Sequence, residues 1–264
     1  MKKAIFFDID GTLIDVSVGQ IHISDKVRAA LNDLKDAGHL IFIASGRPLD
    51  FLDAELVNFG FNGFVLMNGA VAVIDNKIIF KDAINQQIIR DVCNYCNAEN
   101  IEYILESHPK VYLRKNFKLL ETFYDSIGID TKKFERDFNI EDFSTYKIEF
   151  LTNRDDAGQL YYNLMQMPTL TGITDPFHCQ NLELYAQKNS KASGILHALD
   201  HLGIDLSQSY AFGDGLNDVE MIKTVGCGMA MDNGNPKLKE IAKHIVPSVQ
   251  DDGVAYGIYK YILN

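Results

Sequence analysis

Short apolar runs alternate with amphipathic stretches along the chain, and this spacing predicts a layered α/β fold. Residues 4–9 are apolar apart from Asp8, while Leu40–Ala44 and Phe64–Met67 are apolar throughout. Runs of that kind, without polar alternation, belong to strands covered on both faces of a parallel sheet. Between the first two, Ser24 can cap a helix with the stripe Val27, Leu31 and Leu34, and Gly38 can stop it. After the second, Pro48 predicts a helix start and Gly60 its end. Ala70–Ile74 and Lys77–Phe80, about Asp75-Asn76, read as a hairpin. The alternation resumes late in the chain, with a helix opened by Ser190 and the segments Ser209–Phe212, Leu216–Thr224, Gly228–Met231 and Pro236–Lys243.

The middle follows another rhythm. Helical stretches at Asn85–Asn97 and Asp155–Met165 mix with strand-like runs at Tyr103–Leu105, Val111–Leu113, Tyr146–Leu151 and Leu182–Tyr185. This pattern predicts an antiparallel sheet with helices, an α+β module inserted into an α/β one. The expected division is 1–83 and 187–264 for the discontinuous α/β core, and 84–186 for the insert.

Composition narrows the partners. The chain has 264 residues, 47% of them hydrophobic and 23% charged, which marks a globular protein. Its 25 basic and 36 acidic residues leave a net charge of −11. That balance speaks against nucleic acid or an anionic membrane as partner, because both would be repelled. A small anion remains acceptable, since a metal and a few donors can invert the field in one pocket. Lys2-Lys3 and the apolar residues after them imitate a signal peptide, but Asp8 interrupts the run; a cytoplasmic location is expected. Cys93 and Cys96 form a C-x-x-C pair on one helical stripe with Ile88, Ile89 and Val92, which fits small core-facing residues better than a redox or zinc site.

Four segments carry the candidate chemistry. In Phe6-Phe7-Asp8-Ile9-Asp10-Gly11-Thr12-Leu13 two carboxylates stand two apart at a strand's C-terminal end, where open α/β sheets place their ligand crevice. Acids this close share a proton or bind a cation, unless they merely end the strand and cap a turn. In Ala44-Ser45-Gly46-Arg47-Pro48 a hydroxyl and a glycine amide precede a helix start, which suits an anion cradle or an ordinary N-cap. Phe212-Gly213-Asp214-Gly215-Leu216-Asn217-Asp218 ends another strand in an acid, with Asp218 one turn later. Lys188 and Lys191 both lie near a helix start that returns to the core.

If these strands are neighbours, the acids converge. Anions about 4 Å apart repel by roughly 4 kcal/mol at an effective dielectric constant near 20. A divalent cation with oxygen ligands offsets that, and magnesium (Mg²⁺) is the natural choice. Ser45, Lys191 and Asn217 are donors suited to a phosphate.

D-x-D-G-T, S-G-R-P, the lysine and G-D-x-x-N-D occur here in the order seen in the haloacid dehalogenase (HAD) superfamily of phosphatases. More closely, the chain resembles the Cof-type (subfamily IIB) sugar-phosphatase branch, whose large α+β cap interrupts a Rossmann-like parallel-sheet core; Gly253-Val254-Ala255 also fits that branch. The resemblance implies that Asp8 is the nucleophile forming an aspartyl-phosphate, and that Asp10 is general acid and then base. It implies Mg²⁺ held by Asp8, the Asp10 carbonyl and Asp214, with Asp218 supporting the metal or pairing with the lysine. Phosphate contacts would come from Ser45, Gly46, the Ile9 amide, Lys191 and Asn217. Two departures stand out: Ala192 follows the lysine where glycine is usual, and Met231-Asp232-Asn233-Gly234 replaces Met-Gly-Asn-Ala. Arg47, Arg114, Lys147, His178 and Tyr185 are weaker candidates for reading the leaving group.

The expected activity is therefore Mg²⁺-dependent hydrolysis of small soluble phosphomonoesters, with sugar phosphates the leading class. Within the class the rivals are a flavin or pyridoxal phosphate phosphatase and a phosphomutase. From another class the rival is a receiver-like phospho-switch, which needs about half this length or less and no insert.

Overall fold

The computed structural model describes residues 1–174 and 180–264. Among these residues the strands in chain order are Ala4–Phe7 (β1), Leu40–Ala44 (β2), Gly63–Leu66 (β3), Val71–Ile74 (β4), Lys77–Lys81 (β5), Glu102–Glu106 (β6), Val111–Leu113 (β7), Lys147–Leu151 (β8), Leu170–Thr174 (β9), Asn181–Ala186 (β10), Ser209–Gly213 (β11), Cys227–Met231 (β12) and His244–Val246 (β13). The chain divides into two compact units, one of Met1–Gly46, Asp53–Lys81 and Ser190–Asn264, the other of Arg47–Leu52 and Asp82–Asn189. The boundaries expected from sequence differ from this division chiefly at Arg47–Leu52.

The first unit is built on one sheet of order β13-β12-β11-β1-β2-β3-β4-β5. Strands β13 through β3 pair in parallel, and β4 and β5 add an antiparallel edge. This is the α/β architecture that the apolar runs predict. Register is fixed by stacked rings on both sheet faces: Phe6 opposes Phe42 with centroids 4.9 Å apart, and Phe7 opposes Phe212 at 5.2 Å. The connection from β1 to β2 runs through the helix Asp25–Asp36, whose cap Ser24 Oγ accepts from Val27 N at 3.2 Å. Its buried side is Val27, Ala30, Leu31 and Leu34. Helices Lys191–Leu202 and Val219–Thr224 cover a sheet face through Ile195, Ala198, Leu199, Met221 and Ile222.

The helix predicted from Pro48 to Gly60 is replaced by a 3₁₀ turn at Leu49–Phe51 and a short helix at Ala54–Asn58. Leu52 is extended (ψ 136°), and Asp53 starts the chain afresh by accepting from Leu56 N at 2.8 Å.

The second unit is an antiparallel sheet of order β7-β6-β8-β10-β9. The helices Gln86–Glu99 and Ala157–Met165 bury Ile89, Val92, Cys93, Cys96, Leu160, Tyr161 and Leu164 in its core. Cys93 and Cys96 are free thiols in that core, and burial pushes Cys93 up to about 11. Strand β9 and the helix Lys118–Ser126 were not legible. The first holds two apolar residues around a glycine, and the second starts at Phe117 with no side-chain cap. Among the described residues no helix is long and apolar enough to cross a membrane.

Candidate active site

The parallel strands β11, β1, β2 and β3 are successive neighbours, so their C-terminal ends lie side by side. Asp8 directly follows β1, and its amide bonds the Phe212 carbonyl at 3.0 Å. Asp214 directly follows β11 and Ser45 directly follows β2. The carboxylates of Asp8, Asp214 and Asp218 come together, one ligand oxygen of each lying within 4.8 Å of the others.

Tight backbone approach makes this convergence possible. Gly11 has φ +77°, and a Cβ there would stand 2.2 Å from Asp214 Oδ2. The Asp10–Gly11 turn therefore presses directly on the Asp214 carboxylate, which only glycine allows. Thr12 Oγ1 donates to Asp214 Oδ1 at 3.5 Å. The segment 231–235, where the sequence departs from the Cof-type pattern, closes the other side. Asn233 Nδ2 donates to the Gly11 carbonyl at 2.8 Å, and Asn235 N to the Asp214 carbonyl at 2.8 Å. Asp232 adds no charge to the centre, because it faces outward and pairs with Lys239 at 3.1 Å.

Lys191 is wholly buried at the first position of its helix, with Nζ 2.6 Å from Asp8 Oδ1 and 2.7 Å from Asp218 Oδ1. Two features fix that helix start. Ser190 and Ser193 form a reciprocal capping box. Gly69, with φ +89°, lies so close that a Cβ on it would meet the Ser190 carbonyl at 1.9 Å. The close approach on the helix side falls at Gly194, so Ala192 is accommodated without conflict. Lys188, the rival lysine, is exposed and pairs with Asp82 at 2.8 Å.

Asp218 is fully engaged. Besides Lys191 on Oδ1, its Oδ2 accepts from the amides of Asp214 and Gly215, each at 2.9 Å. It therefore clamps the loop after β11 and anchors the lysine. Burial, then the charge of Asp218, pushes the Asp8 carboxyl well above the usual carboxylate range, with Lys191 opposing. Burial and Asp218 likewise push Asp214 up to about 7, Lys191 opposing and Asp10 adding to the rise. For Lys191 burial alone would lower the pKa, but the charges of Asp218 and Asp8 outweigh it and raise it. When ionised, the three carboxylates exceed the one ammonium by two negative charges, and all the donors are oxygens. That donor set fits a hard divalent cation.

Asp10 lies on the turn after β1, half-buried, its backbone bridged to Ile14. Ile9 is buried beside it. Ser45 is buried, its amide donating to the Val65 carbonyl at 2.8 Å. Asn217 Nδ2 donates at 3.3 Å to Asn68 Oδ1, and Gly46 lies against both amides. Asn68 is a residue the sequence reading passed over: Asn-Gly after an apolar run signals a turn, and nothing in it signals burial at the strand ends. Of the weaker candidates, Arg47 donates to the Phe51 carbonyl at 3.2 Å, Arg114 lies 4.7 Å over the Phe138 ring, and Lys147 is buried among glutamates. Tyr185 is buried in β10, and His178 lies outside the described residues.

A model of the haloacid dehalogenase-like hydrolase family matches residues 5–258, and the chain belongs to that family. It is a phosphatase, in keeping with its motifs. Among similar curated proteins, YkrA of Bacillus subtilis (strain 168) is 31% identical over 97% of this chain and 96% of its own length. The 5-amino-6-(5-phospho-D-ribitylamino)uracil phosphatase YcsE of the same organism is 26% identical over 99% of this chain and 96% of its own. The solved HAD subclass IIB sugar phosphatase BT4131 superposes with a TM-score of 0.83 at 24% identity, over 98% of this chain and 99% of that one, a likeness of fold.

Proposed function

We propose that this phosphatase is a Mg²⁺-dependent phosphomonoester hydrolase working through an aspartyl-phosphate on Asp8, with phosphorylated sugars or sugar alcohols as substrates. The observation that carries the reading is the meeting of the Asp8, Asp214 and Asp218 carboxylates around a site that Lys191 only partly neutralises. Asp8, Asp214 and the Asp10 carbonyl would hold the cation, with Asp218 in support. When bound, Mg²⁺ supplies positive charge to the phosphoryl oxygens.

Lys191 engages Asp8 Oδ1 at 2.6 Å, and one oxygen of this carboxylate supplies the attacking lone pair. The new bond forms between that oxygen and phosphorus as the ester P–O bond breaks. Asp10 gives its proton to the departing alkoxide, then takes one from the water that attacks the acyl phosphate, releasing orthophosphate and restoring Asp8. Ser45, the amides of Ile9 and Gly46, Lys191 and Asn217 would hold the phosphoryl oxygens. The substrate class is supported by two relatives, one named for a sugar phosphatase and one for a phosphoribityl compound; both carry the phosphate on a polyhydroxylated chain. In this reading the second unit corresponds to the inserted cap, residues 84–186 by sequence.

The test is phosphate release from a panel of hexose, pentitol, ribitylaminouracil, flavin and pyridoxal phosphates, with and without Mg²⁺. Turnover should require the metal, favour the sugar or polyol esters, and fall at least about 10³-fold in Asp8→Asn. Isomerised product without free phosphate would identify a mutase. A phosphoprotein that persists for hours would identify a switch.

A further inference from the structure

We propose that Asn68 is a further binding residue of this site, its side-chain amide donating to the transferring phosphoryl group while its carbonyl orients Asn217. The proposal rests on the phosphatase reading above and extends it to a residue outside the four motifs.

Asn68 follows β3 and Met67, and β3 lies beside β2 with Val65 opposite Ala44. The end of β3 is thereby fixed against the Ser45–Gly46 turn, and Asn68 N donates to the Ser45 carbonyl at 3.2 Å. The backbone there is strained. Met67, Asn68 and Gly69 are left-handed in succession, with φ of 50°, 52° and 89°. Glycine adopts this conformation freely and asparagine tolerates it, but for methionine it is unfavourable. Such strain persists where the surroundings over-determine a position.

The Asn68 side chain is only 1% exposed. Its Oδ1 accepts from Asn217 Nδ2 at 3.3 Å, and a Cβ on Gly46 would stand 3.1 Å from that Oδ1. Its Nδ2 is buried with no hydrogen-bond partner among the described residues. A turn joining two strands does not need a buried amide with an unused donor, and burying one costs its hydration. The amide stands among Ser45, Gly46 and Asn217, the groups proposed to hold phosphate. A phosphoryl oxygen is the acceptor that its geometry and chemistry suit. The bond to Asn217 gives the residue a second task, because it fixes which way the Asn217 amide turns.

Two variants separate this role from a merely structural one. Asn68→Gly removes the amide and suits the left-handed backbone, so its Tm should stay within about 2 °C of wild type or rise. Asn68→Asp keeps the acceptor for Asn217 but replaces the donor with a carboxylate. Both are assayed with saturating Mg²⁺ for hydrolysis of p-nitrophenyl phosphate and, by calorimetry, for binding of inorganic phosphate. Loss of one charge-assisted hydrogen bond predicts a roughly 10- to 100-fold fall in kcat/KM and weaker phosphate binding in Asn68→Gly, with a deeper fall in Asn68→Asp. Variants that hydrolyse the ester and bind phosphate within twofold of an active wild type overturn the role of Asn68 alone. A wild type that neither hydrolyses nor binds overturns the phosphatase reading and this inference with it.

Discussion

Each unit of this protein buries one lysine among three carboxylates, and the two clusters differ in the backbone that presents them. In the first unit Lys191 meets Asp8 at 2.6 Å and Asp218 at 2.7 Å, with Asp214 beside them. In the second, Lys147 meets Glu149 at 2.5 Å and Glu183 and Glu106 at 3.2 Å each. The glutamates stand on neighbouring antiparallel strands: Glu106 opposes Lys147, and Glu149 opposes Glu183. Tyr124, itself buried against Phe51 and Phe134, donates its hydroxyl to Glu149. Among the described residues no glycine turn enters that cluster; its lysine and three glutamates are side chains on regular strands. Burial, opposed by Lys147 and reinforced by Glu149, pushes the Glu106 carboxyl well above its usual range, as burial does for Asp8 in the first unit. The acids of the Lys191 centre come instead from segments that follow parallel strands, the end of an open α/β sheet at which ligands bind. There the excess suits a metal. A buried charge cluster is thus not in itself a catalytic site; the backbone around it decides.

The sharpest way to break this contrast is to remove each lysine. Lys191→Met should lower kcat by about 10²–10³-fold, since it takes away a donor to the developing phosphoryl charge. Lys147→Met should cost about 3–5 kcal/mol of stability by stranding buried carboxylates, while kcat measured below its Tm stays within about tenfold. Thermal unfolding and steady-state kinetics on both variants give the answer. If Lys147→Met is folded yet inactive, the glutamate cluster has a chemical role.

Next in size is the response to Mg²⁺. Asp214 is raised to about 7 in the folded chain, against about 3.9 when unfolded. Between those values the native state holds a proton that the unfolded state lacks. Metal-free protein therefore loses stability from this group as pH rises from about 4 to about 7, and no more beyond. Mg²⁺ competes for the same oxygens. At about 100 times its Kd it should raise Tm by roughly 5–10 °C at pH 8 and by distinctly less at pH 5.5. An equal rise at both pH values would uncouple Asp214 from the metal.

Much of this was readable in the chain. Strands β1, β2 and β11 announce themselves as buried apolar runs, and an acid or hydroxyl immediately after such a run can only sit at a strand end. Asp8, Ser45 and Asp214 were legible for that reason. Lys191 is set apart from Lys188 by the resemblance and not by the residues themselves, because the phase of a helix start decides which lysine turns inward. Here the contact of Gly69 with the Ser190 carbonyl sets that phase, and it joins residues far apart in sequence. Asn68 was hidden for a related reason: an Asn-Gly pair specifies a turn but not what the turn packs against. In the second unit, the partners of Lys147 depend on antiparallel register, which alternation alone does not give.

The smallest predicted effect probes the raised Glu106 carboxyl. Burial raises the Glu106 carboxyl, and neither of its oxygens has a hydrogen-bond partner among the described residues, so Glu106→Gln should change stability by less than about 1 kcal/mol at neutral pH. Asp218→Asn, an equally small change in shape, should cost about 2–4 kcal/mol. Both oxygens of Asp218 accept, one from Lys191 and one from two backbone amides. An amide in its place must turn an NH₂ toward one of those donors, and the buried ammonium loses a counter-charge. Chemical denaturation of the two variants at pH 7 compares them directly. If Glu106→Gln is as damaging as Asp218→Asn, Lys147 needs the Glu106 charge beside it, and the two clusters depend on their carboxylates alike.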